Sequence, residues 1–355
     1  MNAPFALGSE VISLVDLRDP GEIARIEGFV ADLRGSVFHR PAWSLAVEQG
    51  TGQRALGLVA EKCGSLHGWM PLTEVHSPIF GRALVSSGFA VGGGPLSEKH
   101  ATSVALCHAA QEVASRRSCA SIEIRSGGAP ETWRTWNDTH CGFERELADN
   151  DEAELLLVPR KQRAEIRKSL KLDFVVEAGS SKRDRDAHYA VYSASVRNLG
   201  TPVFPRSLFG AMLDRFGADA DILTIRHAGE PVASVLSFYH QGTVLPFWGG
   251  GTYAARHLRA NERMYYELML HARRRKGCGR FDFGRSKTNS GPYSYKKNWG
   301  FEPHPLIYAG WTVPGETARD IDPTSEAYLR KIDLWKRLPL SMANRVGPFI
   351  AKGLA

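Results

Sequence analysis

The chain has 355 residues, of which 43% are hydrophobic and 23% are charged. This composition is typical of a soluble globular protein, and it excludes a disordered chain, a collagen-like chain and a small disulfide-stapled scaffold. Lysine and arginine number 45 against 38 acids, which gives a net charge of +7. An excess of this size is compatible with an anionic ligand, a nucleic acid or an acidic membrane surface, and it selects none of them.

The sequence shows no pattern typical of a disulfide framework, a metal site or an export signal. The five cysteines form no C-x-x-C pair and the twelve histidines form no ligand-like cluster, so we expect no disulfide framework and no metal. The first ten residues lack a basic segment followed by an apolar one, and no run approaches 18 apolar residues. We therefore expect a reduced, cytoplasmic protein, with peripheral contact at the inner face of the membrane as an option.

An ordered set of four landmarks occurs twice, which predicts an internal duplication. The alternative is that strand-turn-strand, helix and strand follow one another here by accident. The three later landmarks recur 157 to 159 residues apart. In order, the landmarks are a hairpin with its turn at Gly64 or Gly229, a glycine cluster at 92–94 or 249–251, a helix with a basic end leading into a short strand (100–125 or 262–285), and Gly-Phe-Glu at 142–144 or 300–302.

The order of elements in each copy predicts an α/β (α+β) fold with two mixed, mainly antiparallel sheets and a cleft between the domains. The third strands are expected at 83–91 and 243–248, and Asn261 is expected to cap a helix that starts at Glu262. The predicted division is an N-terminal domain (1–158), a basic linker helix (159–175), a C-terminal domain (176–320) and a basic C-terminal tail (321–355).

Two further segments are unusually basic. The segment 159–171 has six cations against Glu165 and a narrow apolar stripe, so it reads as an amphipathic helix. It is either a solvated linker helix or one wall of an anion-binding cleft. The tail, 328–355, mixes cations with Trp335 and other apolar residues, and Pro339 and Pro348 are expected to break it into short pieces. It either covers the domain seam or lies at a membrane interface.

The segment 281–303 carries the richest set of reactive side chains. Asp282 is expected to stay ionised and to pair with a neighbour, and Gly284 to allow a sharp turn into a polar loop. Arg285 and Lys287 are candidates to clamp a phosphate or carboxylate, and Lys296 is a candidate to stabilise an oxyanion or contact an acyl donor. The alternative is a charged surface loop with Asp282 in a structural salt bridge.

Two other stretches contain candidate ligand-binding residues. Arg197 and Thr201 flank a rigid loop with two prolines, which is either shaped for a ligand or a packed connection between helices. His39, between Phe38 and Trp43, is a candidate base or hydrogen-bonding partner, although a lone histidine beside aromatic residues is more often structural. No P-loop or G-x-S-x-G motif is present, which disfavours P-loop enzymes and α/β-hydrolases.

The longest motifs resemble the FemAB-like branch of the GNAT acyltransferase superfamily, and most closely FemAB-related proteins associated with exosortase (PEP-CTERM) and exopolysaccharide loci. The resemblance extends from about residue 30 to about residue 350. The residues that carry it are Phe38-His39-x-x-x-Trp43, Leu199-Gly200-Thr201-Pro202-Val203-Phe204-Pro205, Phe281-Asp282-Phe283-Gly284-Arg285-Ser286-Lys287, Tyr293-x-Tyr295-Lys296-Lys297-x-Trp299-Gly300-Phe301-Glu302-Pro303 and Trp335-Lys336-x-Leu338-Pro339-Leu340.

The resemblance implies two tandem GNAT-like domains and the transfer of an aminoacyl group from charged tRNA, or of an acyl group from CoA, onto an amine. No tightly bound cofactor is implied. The family's long coiled-coil arm is missing, and its Q/R-x-x-G-x-G/A pyrophosphate loop has no counterpart before Asn261. The candidate catalytic residues are Lys296, Asp282 and Arg285, and the candidate substrate-binding residues are Ser286, Lys287, Tyr293, Tyr295, Lys297, Arg197, Thr201 and His39.

The expected function is an acyl- or aminoacyl-transferase acting on an amine of a cell-envelope or exopolysaccharide-related precursor. The alternative is a non-catalytic module that binds an anionic glycan or lipid carrier at the membrane surface, which the basic linker and tail would favour. Nucleic-acid binding ranks last, and matters only if charged tRNA is the donor.

Overall fold

The computed structural model describes residues 10–317 and 326–354. The described strands are β1 (Val11–Leu14), β2 (Arg54–Lys62), β3 (Ser65–Ser77), β4 (Gly81–Val85), β5 (Leu96–Ser97), β6 (Ser121–Ile124), β7 (Arg134–Trp136), β8 (His140–Glu146), β9 (Phe174–Gly179), β10 (Ala220–His227), β11 (Glu230–His240), β12 (Thr243–Gly251), β13 (Arg280–Asp282), β14 (Ser286–Lys287), β15 (Pro303–Pro305) and β16 (Tyr308–Thr312). The described helices are α1 (Pro20–Asp32), α2 (Pro41–Thr51), α3 (His100–Arg116), α4 (Asp151–Leu157), α5 (Arg160–Ser169), α6 (Lys182–Leu199), α7 (Arg206–Phe216), α8 (Tyr253–Leu258), α9 (Ala260–Lys276), α10 (Gly291–Asn298), α11 (Glu326–Arg337) and α12 (Leu340–Ala351).

The chain forms two compact units, each with one mixed sheet. Among the described residues, unit 1 comprises 10–136, 307–317 and 353–354, and unit 2 comprises 137–306 and 326–352. The expected mixed, mainly antiparallel sheets are confirmed, since each contains one parallel pair, β4 with β6 and β12 with β13. No helix in the described ranges has the length and apolarity needed to cross a bilayer.

The sheet of unit 1 runs β1-β2-β3-β4-β6-β16-β7, with β5 added beside β3. Helix α3 packs on β2, β3 and β6. Its apolar side chains bury a core in which Leu84, Leu106 and Ile122 have 0–2% of their surface exposed. This burial is what holds the amphipathic helix to the sheet.

The sheet of unit 2 runs β14-β8-β13-β12-β11-β10-β9, with β15 beside β8. Helices α6 and α9 pack on opposite faces of it, as the glycine cluster shows. A Cβ on Gly250 would lie 2.3 Å from Ser195 Oγ of α6, whereas one on Gly251 would lie 2.6 Å from Asn261 Oδ1 of α9. Alternate strand residues face opposite sides, so small residues here let both helices approach closely.

The parallel pair of unit 2 is short. Strands β12 and β13 are in register only at Thr243 with Arg280 and at Val244 with Phe281. Beyond Val244 the pairing of β12 with β13 ends, while the residues after Phe281 stay paired with β8, at Asp282 with Glu144 and at Ser286 with Cys141. This opening at the carboxyl ends of two neighbouring parallel strands is where open α/β sheets place their ligands.

The two predicted hairpins are confirmed and share fine detail. Both turns place two consecutive residues at positive φ, Cys63 (51°) with Gly64 (78°) and Ala228 (49°) with Gly229 (84°). Such turns match the twist of the strands that they join. Both hairpins also carry a register shift close to the turn, at Ala60/Glu61 and at Ile225/Arg226. The shared geometry supports a duplicated unit.

Each sheet is completed by a strand from the other half of the sequence. Strand β8 follows β7 along the chain, yet it pairs with β13 in unit 2. Strand β16 follows β15, yet it pairs with β6 and β7 in unit 1. The unit boundary therefore falls at residue 136 instead of 158, and the described residues 307–317 return to unit 1. An alternating strand pattern specifies a buried face and leaves open which sheet the strand joins.

Several local expectations differ from the structure. Helix α9 begins at Ala260, and its N-cap is Arg259 at a φ of 56°, so Asn261 is not the cap. The reason is that α8 already occupies the preceding residues, which forces a tight turn at Arg259. Pro348 lies inside α12 and does not end it. The strand expected at 83–91 ends at Val85, before the glycine cluster.

Candidate active site

Lys296 is the most deeply buried cation of the segment singled out from the sequence. Residues 291–298, interpreted from the sequence as part of a loop, form helix α10, whose N-cap Ser290 accepts a hydrogen bond from the Tyr293 backbone N–H. The helix carries Lys296 in its last turn, with only 9% of the residue exposed. Its Nζ donates hydrogen bonds to the carbonyl oxygens of Gly284 (3.0 Å) and Arg285 (2.9 Å).

Two aromatic rings flank this amine. The Nζ atom of Lys296 lies 5.3 Å from the ring centre of Phe143 and 5.4 Å from that of Phe283. Burial lowers the pKa of Lys296 to about 7; the carboxylate of Asp282 opposes the fall and the guanidinium of Arg285 adds to it. At neutral pH the side chain is therefore poised between its charged and neutral forms, which suits an acid-base residue.

Asp282 ends β13 and shapes the turn that holds Lys296. Its Oδ1 accepts a hydrogen bond from the backbone N–H of Gly284 at 2.8 Å. Gly284 has a φ of 71°, the left-handed conformation that favours glycine, so the predicted sharp turn is confirmed. Burial raises the pKa of Asp282 to about 6, and Glu144 adds to the rise. Desolvation therefore outweighs the positive neighbours, so Asp282 holds its charge less firmly than the sequence predicted, although a carboxyl with this pKa is still mostly ionised at neutral pH.

Residues 285–287 connect this turn to α10 along the edge of the sheet. Arg285 is half-buried, and its carbonyl holds Lys296. Ser286 pairs with Cys141 of β8, is 5% exposed, and its hydroxyl has no hydrogen-bond partner among the described residues. Lys287 follows on the same strand and is half-buried. Buried hydroxyls usually have a partner, so the Ser286 Oγ is a candidate contact for a ligand.

The remaining candidates of this segment lie on α10. The ring of Tyr293 packs edge-to-face against Phe143 at 5.5 Å, and Lys297 Nζ lies 5.8 Å from the ring of Tyr293. Tyr295 lies 6.1 Å from the ring of Tyr265 and 6.3 Å from that of Phe283. The structure thus brings Asp282, Arg285, Ser286, Lys287 and the four α10 residues into one continuous wall.

The structure adds candidate residues that the sequence analysis did not identify. Glu262 in the first turn of α9 faces Tyr295, and burial raises the pKa of both side chains. The buried Tyr295 hydroxyl interacts with both Glu262 and Trp299. The signal in the sequence was the spacing of Tyr295 and Trp299, four residues apart on one helix face. Glu262, Tyr295 and Trp299 therefore form a second polar surface at the start of α9.

A basic groove lies on α5, the helix predicted as the linker. Side chains three and four residues apart share a helix face, and here that face is almost entirely cationic. Glu165 on the same helix pairs with Lys168 at 2.6 Å and also with Arg259, so the groove adjoins the start of α9. The groove has a volume of about 450 Å³ and is lined by Arg160, Arg163, Ala164, Arg167, Lys168 and Lys171.

Three predicted ligand residues have other contacts. Arg197 Nη1 donates to the Lys336 carbonyl at 3.2 Å, and Thr201 lies exposed on the following loop. His39 lies in unit 1, where its Nδ1 accepts from the Ser36 backbone N–H at 3.0 Å and its Nε2 therefore donates to the Gly94 carbonyl at 3.1 Å. Both ring nitrogens of His39 are therefore engaged in hydrogen bonds within unit 1.

Titratable side chains do not cluster as metal ligands. Within residues 10–317 and 326–354, no group of three or more histidine, cysteine, aspartate or glutamate side chains is placed to hold a metal ion.

The comparisons with known proteins place this site on a recognised scaffold. Residues 160–297 match the family model described as an acetyltransferase (GNAT) domain. No curated protein sequence matches the chain significantly. The matched segment contains the basic groove, the opening between β12 and β13, and all the α10 residues described above.

Solved structures share the fold over most of the chain. The crystal structure of FemX is 13% identical, with a TM-score of 0.64, and the match covers 85% of this chain and 97% of that one. A tandem GNAT protein from the clavulanic acid biosynthesis pathway is 10% identical, with a TM-score of 0.55, over 86% and 98% of the two chains. The C-terminal domain of a putative lysylphosphatidylglycerol synthetase from Agrobacterium fabrum is 12% identical, with a TM-score of 0.56, over 83% and 93%. The fold is therefore that of tandem GNAT proteins.

Proposed function

We propose that this chain is an acyltransferase that transfers an acyl or aminoacyl group onto an amine, with Lys296 as the catalytic residue. The observation that carries the proposal is the Lys296 amine, held by the two backbone carbonyls of the turn that follows β13, with a pKa of about 7. The GNAT match over residues 160–297 supports the same reaction class.

The chemistry requires the amine to attack the carbonyl carbon of the donor. A carbon–nitrogen bond forms, and the carbonyl oxygen becomes an oxyanion. A protonated lysine has three N–H donors, and the two backbone carbonyls take two of them, so the third is available to the oxyanion. When the intermediate collapses, the bond to the donor oxygen or sulfur breaks, and Lys296 can give its proton to that leaving atom. The attacking nitrogen loses its own proton to solvent.

Asp282 and Arg285 shift the pKa of the Lys296 amine in opposite directions. The Asp282 carboxylate favours the charged form of Lys296, whereas the Arg285 guanidinium disfavours it. Asp282 also fixes the Gly284 turn, and with it the carbonyl groups that orient the amine. We assign Asp282 as a positioning residue, and we assign Ser286, Lys287, Tyr293, Tyr295 and Lys297 to the substrate-binding wall.

Two observations favour a charged tRNA over acyl-CoA as the donor. The first turn of α9 carries Glu262, so this helix N-terminus presents a carboxyl group where a pyrophosphate would need bare N–H donors. The basic groove on α5 offers cations from Arg160 to Lys168, a span of about 12 Å along the helix axis, with Lys171 just beyond the end of the helix. A row of that length suits several consecutive backbone phosphates. We therefore propose an aminoacyl ester as the donor group.

For the acceptor, we propose an amine on a cell-envelope or exopolysaccharide-related precursor. A structural neighbour is named as a putative lysylphosphatidylglycerol synthetase, which supports a lipid-linked envelope acceptor; the amine is proposed from the reaction class, because phosphatidylglycerol itself offers hydroxyl groups. The motif resemblance to FemAB-related proteins of exopolysaccharide loci supports the same class. The polar surface of Glu262, Tyr295 and Trp299 offers both acceptor and donor atoms for such a substrate.

The test is a transfer assay with purified protein, mass-spectrometric detection of products, and separate mixtures of aminoacyl-tRNAs and acyl-CoAs over a panel of amine acceptors. We expect transfer from aminoacyl-tRNA, and we expect Lys296→Met to lower it by about a thousandfold, the scale of losing an oxyanion donor and a proton donor together. The matched control is Lys182→Met, which removes a lysine whose side chain is 90% exposed on α6.

Three results separate the parts of the proposal. Transfer from acyl-CoA alone would refute the donor assignment and keep the reaction class. Wild-type rates in Lys296→Met would remove the catalytic assignment. Replacing Arg163 and Arg167 by glutamate should weaken tRNA binding and flatten its salt dependence, since fewer phosphates would be neutralised.

A further inference from the structure

Helix α12 packs its small residues inward and its large apolar residues outward. Ala343 and Ala351 are 1% and 0% exposed, and Gly347 between them is also buried. A Cβ on Gly347 would lie 3.0 Å from the backbone nitrogen of Val203, so the small residues permit a close approach to the rest of unit 2. These three positions are four residues apart and form one stripe of the helix.

The opposite face of α12 is large, apolar and exposed. Met342, Val346 and Phe349 are 53%, 44% and 69% exposed, and their spacing of four and three residues places them on one face. Leu334, near the end of α11, is 66% exposed. A surface helix ordinarily turns its large apolar side chains toward the core, so this arrangement is the reverse of that needed for stability alone. Exposed apolar side chains grouped on one helix face, as Met342, Val346 and Phe349 are, mark interaction sites.

The chain around this apolar face is rich in cations. In the described residues 332–354 the basic side chains are Lys336, Arg337, Arg345 and Lys352, and the acid is Asp333. Asp333 pairs with Lys336 at 3.7 Å, and Lys352 Nζ lies 5.5 Å from the ring of Phe349. Pairing two copies through this face would bring like charges together. An anionic lipid bilayer complements both features of this face. Its acyl chains match the apolar side chains, and its anionic head groups match the cations.

We propose that this face, formed by Leu334, Met342, Val346 and Phe349 with Arg337, Arg345 and Lys352, docks on the surface of an anionic lipid bilayer. The apolar side chains enter the boundary between head groups and acyl chains, and the cations contact lipid phosphates. The protein is thereby a peripheral membrane protein, held by α12 lying in the interface plane. The proposal does not depend on the transfer reaction.

The experiment is co-sedimentation of the full chain with vesicles of phosphatidylcholine alone and of phosphatidylcholine mixed with phosphatidylglycerol. We expect binding to the anionic vesicles that weakens as salt is added. Phe349→Ser should reduce the partition coefficient at least about tenfold, through lost apolar burial in the interface. Arg345→Gln should reduce it about fivefold on anionic vesicles and leave the weak binding to neutral vesicles unchanged.

The controls keep the result interpretable. Val175→Ser removes another exposed apolar side chain of unit 2 (55% exposed) and should bind vesicles as the wild type does. All variants change exposed side chains, so their unfolding transitions should match that of the wild type. Salt-insensitive binding, or equal binding by Phe349→Ser, would overturn the proposal. So would a wild-type dimer that Phe349→Ser converts to a monomer, which would assign the face to self-association.

Discussion

The amine of Lys296 should titrate near neutrality in the free protein. Burial between Phe143 and Phe283, at 9% exposure, lowers its pKa from 10.5 to about 7. That fall corresponds to about 5 kcal/mol of preference for the neutral form relative to an exposed lysine. At pH 7 about half of the side chains are uncharged, whereas an ordinary lysine is uncharged about once in three thousand molecules.

Two substitutions should move this pKa in opposite directions. Asp282→Asn removes the carboxylate that favours the ammonium, so the pKa of Lys296 should fall further. Arg285→Gln removes the guanidinium that disfavours the ammonium, so the pKa should rise. A general change in solvent access would move both variants the same way, so the opposite signs test the specific electrostatic reasoning.

The assay needs no substrate, because NMR of isotope-labelled lysine side chains follows each amine through its own titration. Lys296→Arg assigns the resonance by its disappearance. A Lys296 signal that titrates with the bulk of the lysines, near 10.5, would refute the burial argument and the proton-donor role that rests on it. In the transfer assay, the ratio of Lys296→Arg activity to wild-type activity should rise as the pH increases above 7, because arginine stays charged there whereas Lys296 loses its proton. The ionisation of the acceptor amine affects both proteins equally, so it cancels in the ratio.

Three further predictions concern stability, each measured by chemical denaturation. Glu154→Ala should cost about 3–5 kcal/mol, because Glu154 is fully buried and its loss leaves Arg145 unpaired in the interior. Burial lowers the pKa of His188 to about 3, so the folded protein holds it neutral and loses stability as pH falls below 6.5, by up to about 1.4 kcal/mol per pH unit; His188→Phe should flatten that loss. Gly250→Ala should destabilise by about 1–3 kcal/mol through its clash with α6, whereas Gly28→Ala, exposed in α1 with nothing within 4 Å, should stabilise by about 0.5–1 kcal/mol.

The local elements could be predicted from the sequence because their signals are local. Glycine turns between apolar runs identified both hairpins, and the periodicity of 160–169 identified α5. The Gly284 turn followed from residue type alone. Helix α10 was missed since Tyr, Lys and a proline near its start resemble a loop, although Ser290 and Pro292 are ordinary helix-start residues.

The exchanged strands and the electrostatics of the site could not be predicted. Nothing in the composition of β8 specifies that it pairs with residues 280–282, which lie far along the chain. The pKa of Asp282 depends mainly on how deeply its carboxyl group is buried, which the sequence does not reveal. The neighbouring cations in the sequence predict a shift in the opposite direction. Lys296 was identified by its residue type and motif, but the two carbonyls that hold it depend on tertiary structure.

The exchanged strands constrain how this chain can fold during synthesis. Strand β8 is made early, yet its neighbour β13 begins at residue 280. Unit 1 is made first, yet its sheet stays open between β6 and β7 until residues 308–312 have left the ribosome. Neither unit can finish before the other is nearly complete, so the usual order of one domain folding after another does not apply. Both sheets then close through contacts distant in sequence, which predicts slow, concerted folding with exposed strand edges until the last strand arrives.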